Sequence, residues 1–305
     1  MKTAPPSAWC LLGKHLSRAD FVRVNVTSDA AIELHRFLEL GVELLHRQRQ
    51  PLAIEPTRFL FAPRSGSTAL LGVLKAGVDS AGRQFPLAAF LEYSFDRLPS
   101  SVAEVPFFAA EALDAAQRFL DERAASSEPL DEAIQKVPLP GANTAAKARQ
   151  QWEQALASVK VGDLQELFSV GPAVGGAWYA VKTALMACEV RRKTASDAPT
   201  LECPLSPAFG AAPWLEIVAR GNPGVSLPTV LWTSKRLYVA LGAPPAAIFS
   251  GLVGGVVNST KVWPVATAQQ AAINSARASL RAAPLLASPE ASLLEALSAL
   301  GGAKR

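Results

Sequence analysis

The sequence predicts an α+β fold in which an antiparallel sheet is flanked by helices. Three short apolar runs, at residues 58–62, 68–76 and 85–90, are separated by turn-rich segments, and this pattern is typical of an antiparallel meander. Two longer segments, at residues 30–50 and 106–123, place their apolar residues at helical spacing. Because the strands are grouped apart from the long helices and do not alternate with them, the pattern favours layered α+β packing.

Start and stop signals bound the elements of the first ninety residues. Ser28 is predicted to cap the first helix, and Pro51 is predicted to end it. The run at residues 68–76 fits either a strand or a short helix. Pro86 places the third apolar run at a sheet edge or at a β-bulge. The mixed polar segment at residues 13–21 is interpreted as loop rather than strand.

The middle of the chain is predicted to be mainly helical. Residues 124–144 are rich in Ser, Pro, Gly and acidic residues and lack periodicity, so we interpret them as an exposed connector. A helix broken near Gly162 is expected over residues 145–168, whereas the apolar segment 178–188 fits either a helix or a strand. Residues 193–207 are expected to form a loop.

The last third of the chain contains further strand candidates and an alanine-rich tail. Residues 214–218 are predicted to form a strand, and residues 228–233 and 237–241 are predicted to form a hairpin. Residues 1–264 are expected to make up a single α+β domain. Residues 265–305 are expected to be a helical extension with two segments outside that domain.

The charge distribution argues against a nucleic-acid-binding protein. The chain of 305 residues has 30 Lys plus Arg against 26 Asp plus Glu, and the basic residues are scattered rather than gathered on one stripe. The densest basic groups, residues 46–49 and 191–193, are interpreted as solvated helix ends or loops. A phosphate or phosphopeptide contact is the alternative for each.

The cysteine, histidine and hydropathy patterns indicate a reducing compartment and no metal cluster. An odd number of three distant cysteines argues against a disulfide framework and against a four-ligand zinc site, and the three histidines are dispersed. Residues 1–12 lack the continuous apolar segment of a signal peptide. The apolar stretches 171–190 and 246–257 are interrupted by charges or too short to span a bilayer, so no membrane insertion is expected.

One loop is similar to the phosphosulfate-binding loop of PAPS-dependent sulfotransferases. It has the sequence PRSGST at residues 63–68 and follows an apolar run, so backbone N–H groups at a helix N-terminus would bind a phosphate. The cradle would then consist of Arg64, Ser65, Gly66, Ser67 and Thr68. Against this alternative, Gly72 and Gly77 interrupt the helix that should follow, and all histidines precede residue 47.

Other catalytic patterns are missing from the sequence. There is no G-x-S-x-G nucleophile motif, and Cys10 is interpreted as a small buried apolar residue. Adjacent carboxylates at residues 121–122 and 131–132 are interpreted as solvated. We therefore expect a protein that is not an enzyme and needs no cofactor.

Three segments, in order, resemble the TagF (ImpM) family. The first is GKHLSRADF at residues 13–21, with Ala19 where the family often has glycine. The second combines RF at residues 58–59 with VDSAGRQFPL at residues 78–87. The third is LPTVLWT at residues 227–233, followed by Gly, Pro and Phe at positions 242, 244 and 249. The resemblance is densest over residues 9–90.

The resemblance implies a non-catalytic cytoplasmic protein that represses type VI secretion after translation by binding the forkhead-associated (FHA) scaffold protein of the apparatus. It also implies a sheet-and-helix layered fold akin to longin or profilin-like domains. The family-motif or partner-binding residues that it implies are Gly13, Lys14, Ser17, Arg18, Asp20, Phe21, Asp79, Gly82, Arg83, Phe85, Pro86 and Trp232.

The charged motif residues have two interpretations. Arg18, Asp20, Asp79 and Arg83 either form a face that the partner recognises, or pair with one another and hold residues 13–21 against the later turn. Lys14 is harder to explain structurally, so it is our first candidate for a partner contact. Gly82 is expected at a turn position with positive φ, Phe21 and Phe85 are expected to fill the core, and Trp232 is expected to be a core residue rather than an interface anchor.

Overall fold

The computed structural model describes residues 8–63, 66–123, 125–141, 144–167, 175–195, 198–207, 209–222, 224, 226–266, 270–278 and 283–302. Arg64 and Ser65 of the sulfotransferase-like loop lie outside these ranges, as do parts of the predicted tail. The described residues form an α+β fold with one large, mostly antiparallel sheet and helices on both of its faces. The predicted fold class is therefore confirmed, whereas the likeness to longin or profilin-like domains stays a prediction.

The described residues contain one sheet of nine strands, whose order is β2-β1-β5-β4-β3-β7-β8-β6-β9. Every pairing is antiparallel except that of β6 with β9. The strands are β1 (Cys10–Lys14), β2 (Phe21–Val24), β3 (Thr57–Phe61), β4 (Thr68–Lys75), β5 (Leu87–Ser94), β6 (Thr200–Pro204), β7 (Thr229–Trp232), β8 (Arg236–Ala240) and β9 (Val262–Pro264).

Helices connect the strands and cover both faces of the sheet. The α-helices in the described residues are α1 (Asp29–Arg47), α2 (Val105–Phe108), α3 (Ala110–Arg123), α4 (Leu130–Gln135), α5 (Ala145–Ala157), α6 (Val161–Gln165), α7 (Gly176–Lys193), α8 (Ala212–Gly221), α9 (Ile248–Leu252), α10 (Gln270–Ala278) and α11 (Leu293–Gly302). Short 3-10 helices lie at Phe95–Arg97 and Pro284–Ala287.

Alternating side chains of the strands fill two separate cores. In β4, Leu70 and Leu74 join the core under α1 and α9, whereas Leu71 and Val73 join the larger core under the other helices. This alternation follows from the two-residue period of a strand. Because both faces are covered, the central strands are apolar along their whole length, which explains why they appear in the sequence as continuous apolar runs.

The meander predicted in the first ninety residues is confirmed. Strands β3, β4 and β5 pair in that order, and the run that fitted strand or helix is the strand β4. Ser28 caps α1 by accepting the N–H of Ala31. The loop predicted at residues 13–21 is confirmed for residues 15–20, and β1 and β2 pair on either side of it. One detail was wrong. Strand β5 lies inside the sheet, where Pro86 precedes it and removes no ladder bond.

Several predictions for later residues are also corrected. A strand, β6, lies in the predicted loop of residues 193–207, and the predicted strand at 214–218 is part of helix α8. Eight of the ten α8 residues are buried, and an apolar run as short as residues 214–218 cannot by itself distinguish a buried helix from a strand. The hairpin of β7 and β8 is confirmed.

The segment interpreted as an exposed connector and the C-terminal extension both contribute buried residues. The 124–144 segment, interpreted as an exposed connector, contains α4, and Leu130 and Ile134 of that helix are fully buried. One helical turn with a single i,i+4 apolar pair is too short to give a periodic signal. The tail also packs on the rest of the chain, since α10 contacts α7 and α11 contacts α5 and α8, with Leu293 and Leu297 buried.

Candidate functional site

The sheet brings the two densest motif segments together. The loop that joins β1 to β2 (residues 15–20) lies beside the turn that joins β4 to β5 (residues 76–86), because β1 pairs with β5. The backbone N–H of Ser80 donates to the carbonyl of Arg18 at 3.1 Å, so the two loops are hydrogen-bonded to each other. We call residues 15–20 and 76–86 the paired loops.

Asp79 is the centre of the paired loops. Its side chain is fully buried, and its Oδ2 atom accepts from Lys14 Nζ at 2.7 Å and from Arg83 Nε at 2.8 Å. Its Oδ1 atom accepts the backbone N–H groups of Ala81 at 3.0 Å and of Arg83 at 2.9 Å. Arg83 also donates to the carbonyl of Ala19 in the other loop. One carboxylate therefore connects β1, the turn and the first loop.

The hydrogen bonds determine the ionisation of Asp79. Removal from water by itself raises the pKa of this carboxyl. Donors from Lys14, from the backbone and side chain of Arg83, and from Ala81 favour the charged form. Together they outweigh burial and hold the pKa of Asp79 well below its usual range. The carboxylate is thus ionised at neutral pH.

This pKa shift predicts an acid-sensitive contribution to stability. A carboxyl whose pKa is lower in the folded than in the unfolded chain stabilises the fold fully above its unfolded value of about 3.9, and this contribution is lost as the pH falls towards the folded value. We expect the excess stability of the wild type over an Asp79→Asn variant to be constant above about pH 5 and to shrink steadily below about pH 4. Urea unfolding of both proteins across this range measures the difference, and a difference independent of pH would contradict the assignment.

Lys14 is not the free partner contact that we expected from the sequence. Its side chain is about 10% exposed, and its ammonium group pairs with Asp79. The same ammonium lies 5.3 Å from the centroid of the Phe21 ring, on which it makes a cation–π contact. Of the four charged residues that one interpretation paired with one another, Asp79 and Arg83 are paired, and Lys14, which that interpretation left out, joins them.

Two motif glycines occupy backbone conformations with positive φ. Gly13 has φ 138°, and a Cβ atom there would lie 2.0 Å from the carbonyl oxygen of Pro86. Gly82 has φ 80° at the tip of the turn, with open space where a Cβ would be. Gly13 therefore permits close contact between β1 and the start of β5, and the positive φ predicted for Gly82 is confirmed.

An aromatic group closes the inner side of the paired loops. Phe21 and Phe85 meet edge to face with centroids 4.9 Å apart, and the ring of His35 from α1 contacts both. Phe85 is buried and Phe21 is half-buried. Both belong to the core under α1, as predicted, and they join the loops to that helix.

Two partners of the motif residues were missed in the sequence. Arg18 pairs at 2.7 Å with Asp131 on α4, which lies in the segment interpreted as a connector. His15 is buried, and its Nε2 donates to the carbonyl of Arg123 at 2.7 Å, while its Nδ1 accepts from Ser17. The acidic pair after Pro129 was the available signal for Asp131, since carboxylates favour the first turn of a helix.

Two predicted site residues, Asp20 and Trp232, do not contact the cluster of Lys14, Asp79 and Arg83. Asp20 accepts the N–H of Phe21 at 2.7 Å on the exposed side of the loop. Trp232 lies in β7, where it pairs in register with Arg58 of β3, and packs half-buried against the larger core. The expectation that Trp232 contributes to the core agrees with this position.

The paired loops present one continuous exposed edge. Ala19, Asp20 and residues 80–84 are exposed, and the side chain of Arg83 is 60% exposed although it bonds to Asp79. We call these residues the paired-loop surface. Its backbone is hydrogen-bonded to the buried Asp79 carboxylate and between the two loops.

The sulfotransferase-like loop leads into a strand. The residues that follow it form β4, which pairs with β3 from Phe61 and Leu70 onward, whereas a phosphate cradle requires the N-terminus of a helix.

Cys10 is buried, and burial, with a smaller contribution from Glu92, raises the pKa of its thiol to about 12, which leaves it protonated. In the part of the chain that the structure describes, no helix is long and apolar enough to cross a bilayer.

Comparison with known proteins finds a family match over the first part of the chain. No curated protein matches the chain in sequence. Among solved structures, the crystal structure of PA0076 from Pseudomonas aeruginosa PAO1 aligns with 14% identity and a TM-score of 0.48, covering 84% of this chain and 99% of that one. Residues 10–137, which include the paired loops, match the family described as the TagF N-terminal domain, type VI secretion system-associated. Over these residues, the chain is therefore similar to the N-terminal domain of TagF, a protein associated with the type VI secretion system.

Proposed function

We propose that the chain is a non-catalytic cytoplasmic repressor of type VI secretion that acts after translation by binding the FHA-domain scaffold protein of the apparatus. The TagF N-terminal domain supports the association with this secretion system. The proposal goes further in naming the partner and the direction of regulation, and it makes the paired-loop surface the contact.

The observation that carries the proposal is that some motif residues are buried and paired with each other, whereas their neighbours are exposed. Lys14 and Asp79 are buried and bond to each other, so their charges serve the fold. Residues 80–84 are exposed, and among them Arg83 is the one whose side chain bonds to Asp79. A partner would thus meet a surface whose backbone is already ordered, which lowers the entropic cost of binding.

The charges at this surface suit recognition of polar groups on a protein. Arg83 and Arg18 keep 60% and 37% of their side chains exposed, and a guanidinium can donate to several acceptors in one plane. Asp20 adds an exposed carboxylate beside them. Opposite charges placed side by side give a pattern that selects a complementary partner more than it adds raw affinity.

A single substitution tests the surface without touching its support. Ser80 is exposed, and its backbone rather than its side chain bonds to the other loop. We expect Ser80→Arg to fold normally and to weaken binding of the FHA-domain protein from the same gene cluster by roughly tenfold or more, because a bulky cation would be buried without a partner. Binding is measured by calorimetry, and secretion is measured in cells that carry the variant.

Gln154→Arg is the matched control. This residue is exposed on α5, a helix that packs against α2, α8 and α11, and the same change there should leave binding and repression intact. A wild-type chain that fails to bind the FHA-domain protein at micromolar concentration would refute the proposed partner. Equal binding by Ser80→Arg and the wild type would refute only the proposed surface.

A further inference from the structure

Arg191 is a buried cation far from the paired loops. It lies in the last turn of α7 within the basic group 191–193 that we expected to be solvated, yet only 9% of it is exposed. Its terminal NH2 group donates to the carbonyl of Ser226 at 2.8 Å and to the Ser226 hydroxyl at 3.0 Å. Its other terminal nitrogen, NH1, is buried and has no hydrogen-bond partner among the described residues.

This arrangement is costly without an anion. Among the residues that the structure describes, no carboxylate pairs with Arg191, and its bonding partners are neutral oxygens. Burial lowers the pKa of this guanidinium, but an arginine starts high enough to keep its charge in a folded protein. A buried charge that is not paired destabilises a fold, so the buried Arg191 guanidinium would be stabilised by an anion bound beside it.

A cavity of about 610 Å³ adjoins this guanidinium. It lies at one end of β3, β7 and β8, and its size is within the range of small-molecule sites. Its walls are mostly apolar and include Phe95, Leu227 and Leu241, with the hydroxyl of Ser226 beside the guanidinium. Of the described residues that line it, Arg191 is the one that carries a charge.

We propose that this cavity binds a small organic molecule with one carboxylate and an apolar body, and that the carboxylate pairs with Arg191. The free NH1 group supplies donors for the carboxylate oxygens, since the NH2 hydrogens are already used by Ser226. The Ser226 hydroxyl accepts from the arginine, so its own proton is left to donate to the ligand.

The charge balance selects a monoanion. One guanidinium neutralises one carboxylate, whereas a phosphate dianion would keep an uncompensated negative charge in an apolar cavity. The apolar walls match a hydrocarbon or aromatic body attached to the acid. The proposal is independent of the FHA-domain partner, because it depends on α7 and the strand ends and not on the paired loops.

Benzoate and its neutral analogue benzamide test the site on the full chain. We expect wild-type protein to bind benzoate in a saturable manner, with benzamide bound about tenfold more weakly or worse, because a charge-assisted hydrogen bond is lost. Arg191→Met should abolish the preference for benzoate. Arg192→Met is the matched control, since this neighbour on the same helix is exposed and does not line the cavity, and it should bind as the wild type does.

A second variant keeps the test valid if Arg191→Met does not fold. Ser100 is at an exposed position on the cavity wall, and Ser100→Trp should fold, occlude the cavity and weaken benzoate binding about tenfold or more. Calorimetry and thermal shift both report the binding. The proposal is overturned if the wild type binds neither probe at millimolar concentration, if it binds both equally, or if a folded Arg191→Met or the Ser100→Trp variant binds benzoate unchanged.

Discussion

Replacing Gly13 by alanine is expected to lower the free energy of unfolding by about 4 kcal/mol, because backbone strain and steric overlap add at this one position. The residue has φ 138°, a conformation that side chains with a Cβ rarely adopt. The new Cβ would also lie 2.0 Å from the Pro86 carbonyl oxygen and 2.7 Å from the Leu87 Cα. These are backbone atoms inside the sheet, so they cannot move aside without breaking the pairing of β1 with β5.

Urea unfolding of Gly13→Ala and Gly82→Ala distinguishes the cost of steric overlap of the new Cβ from the cost of backbone strain at positive φ. Gly82 also has positive φ, but no atom lies within 4 Å of the position of its missing Cβ. We expect its replacement to cost only about 1–2 kcal/mol of backbone strain. If the two variants lose the same stability, the close approach of β1 to Pro86 is incorrect.

The consequence of Gly13→Ala extends to the candidate site. Lys14 follows Gly13 directly, and its ammonium reaches Asp79 only while β1 lies against the turn. A folded Gly13→Ala protein should therefore lose part of the acid sensitivity that Asp79 confers. Thus the glycine, the lysine and the aspartate of the two motif segments act as one structural unit.

Elements with a local signal could be predicted from the sequence. The capping Ser28, the amphipathic pattern of α1 and the turn-separated runs of β3, β4 and β5 each specify their structure within a few residues. The β1–β2 hairpin was missed because polar residues of its loop, such as His15, hide two short strands. In α8, the apolar run of residues 214–218 is too short to distinguish a buried helix from a strand, and the i,i+4 pair of Glu216 and Arg220 was the overlooked helical signal.

The sequence predicted which residues belong to the candidate site, but it did not predict which side chains pair with each other. The resemblance named Lys14, Asp79 and Arg83, and one of the two interpretations paired charged motif residues with one another. The partner of Lys14 depends on β1 lying beside β5, a contact between segments about 65 residues apart. The partner of Arg18 lies on α4, which is too short to show apolar periodicity and whose acidic first turn does not specify which cation it meets. Such long-range contacts are set by tertiary packing and leave no local trace.

Replacing Asp79 by asparagine is expected to lower the melting temperature by roughly 5 °C or more, because it leaves a buried ammonium without a counter-ion. The change keeps the size of the side chain and one oxygen acceptor, so packing is preserved. What is lost is the negative charge that Lys14 and Arg83 share. Arg83 is mostly exposed and can be solvated, whereas Lys14 cannot.

The double variant Lys14→Met/Asp79→Asn distinguishes this cause from loss of the hydrogen bonds. If the unpaired ammonium is the source of the instability, removing it as well should restore part of the melting temperature, so the double variant melts above Asp79→Asn. Lys14→Met alone should cost less than Asp79→Asn, since the carboxylate keeps Arg83 and two backbone donors. Strictly additive losses would instead mean that the two groups stabilise the paired loops independently. In that case the buried ion pair would not be what orders the surface proposed to meet the partner.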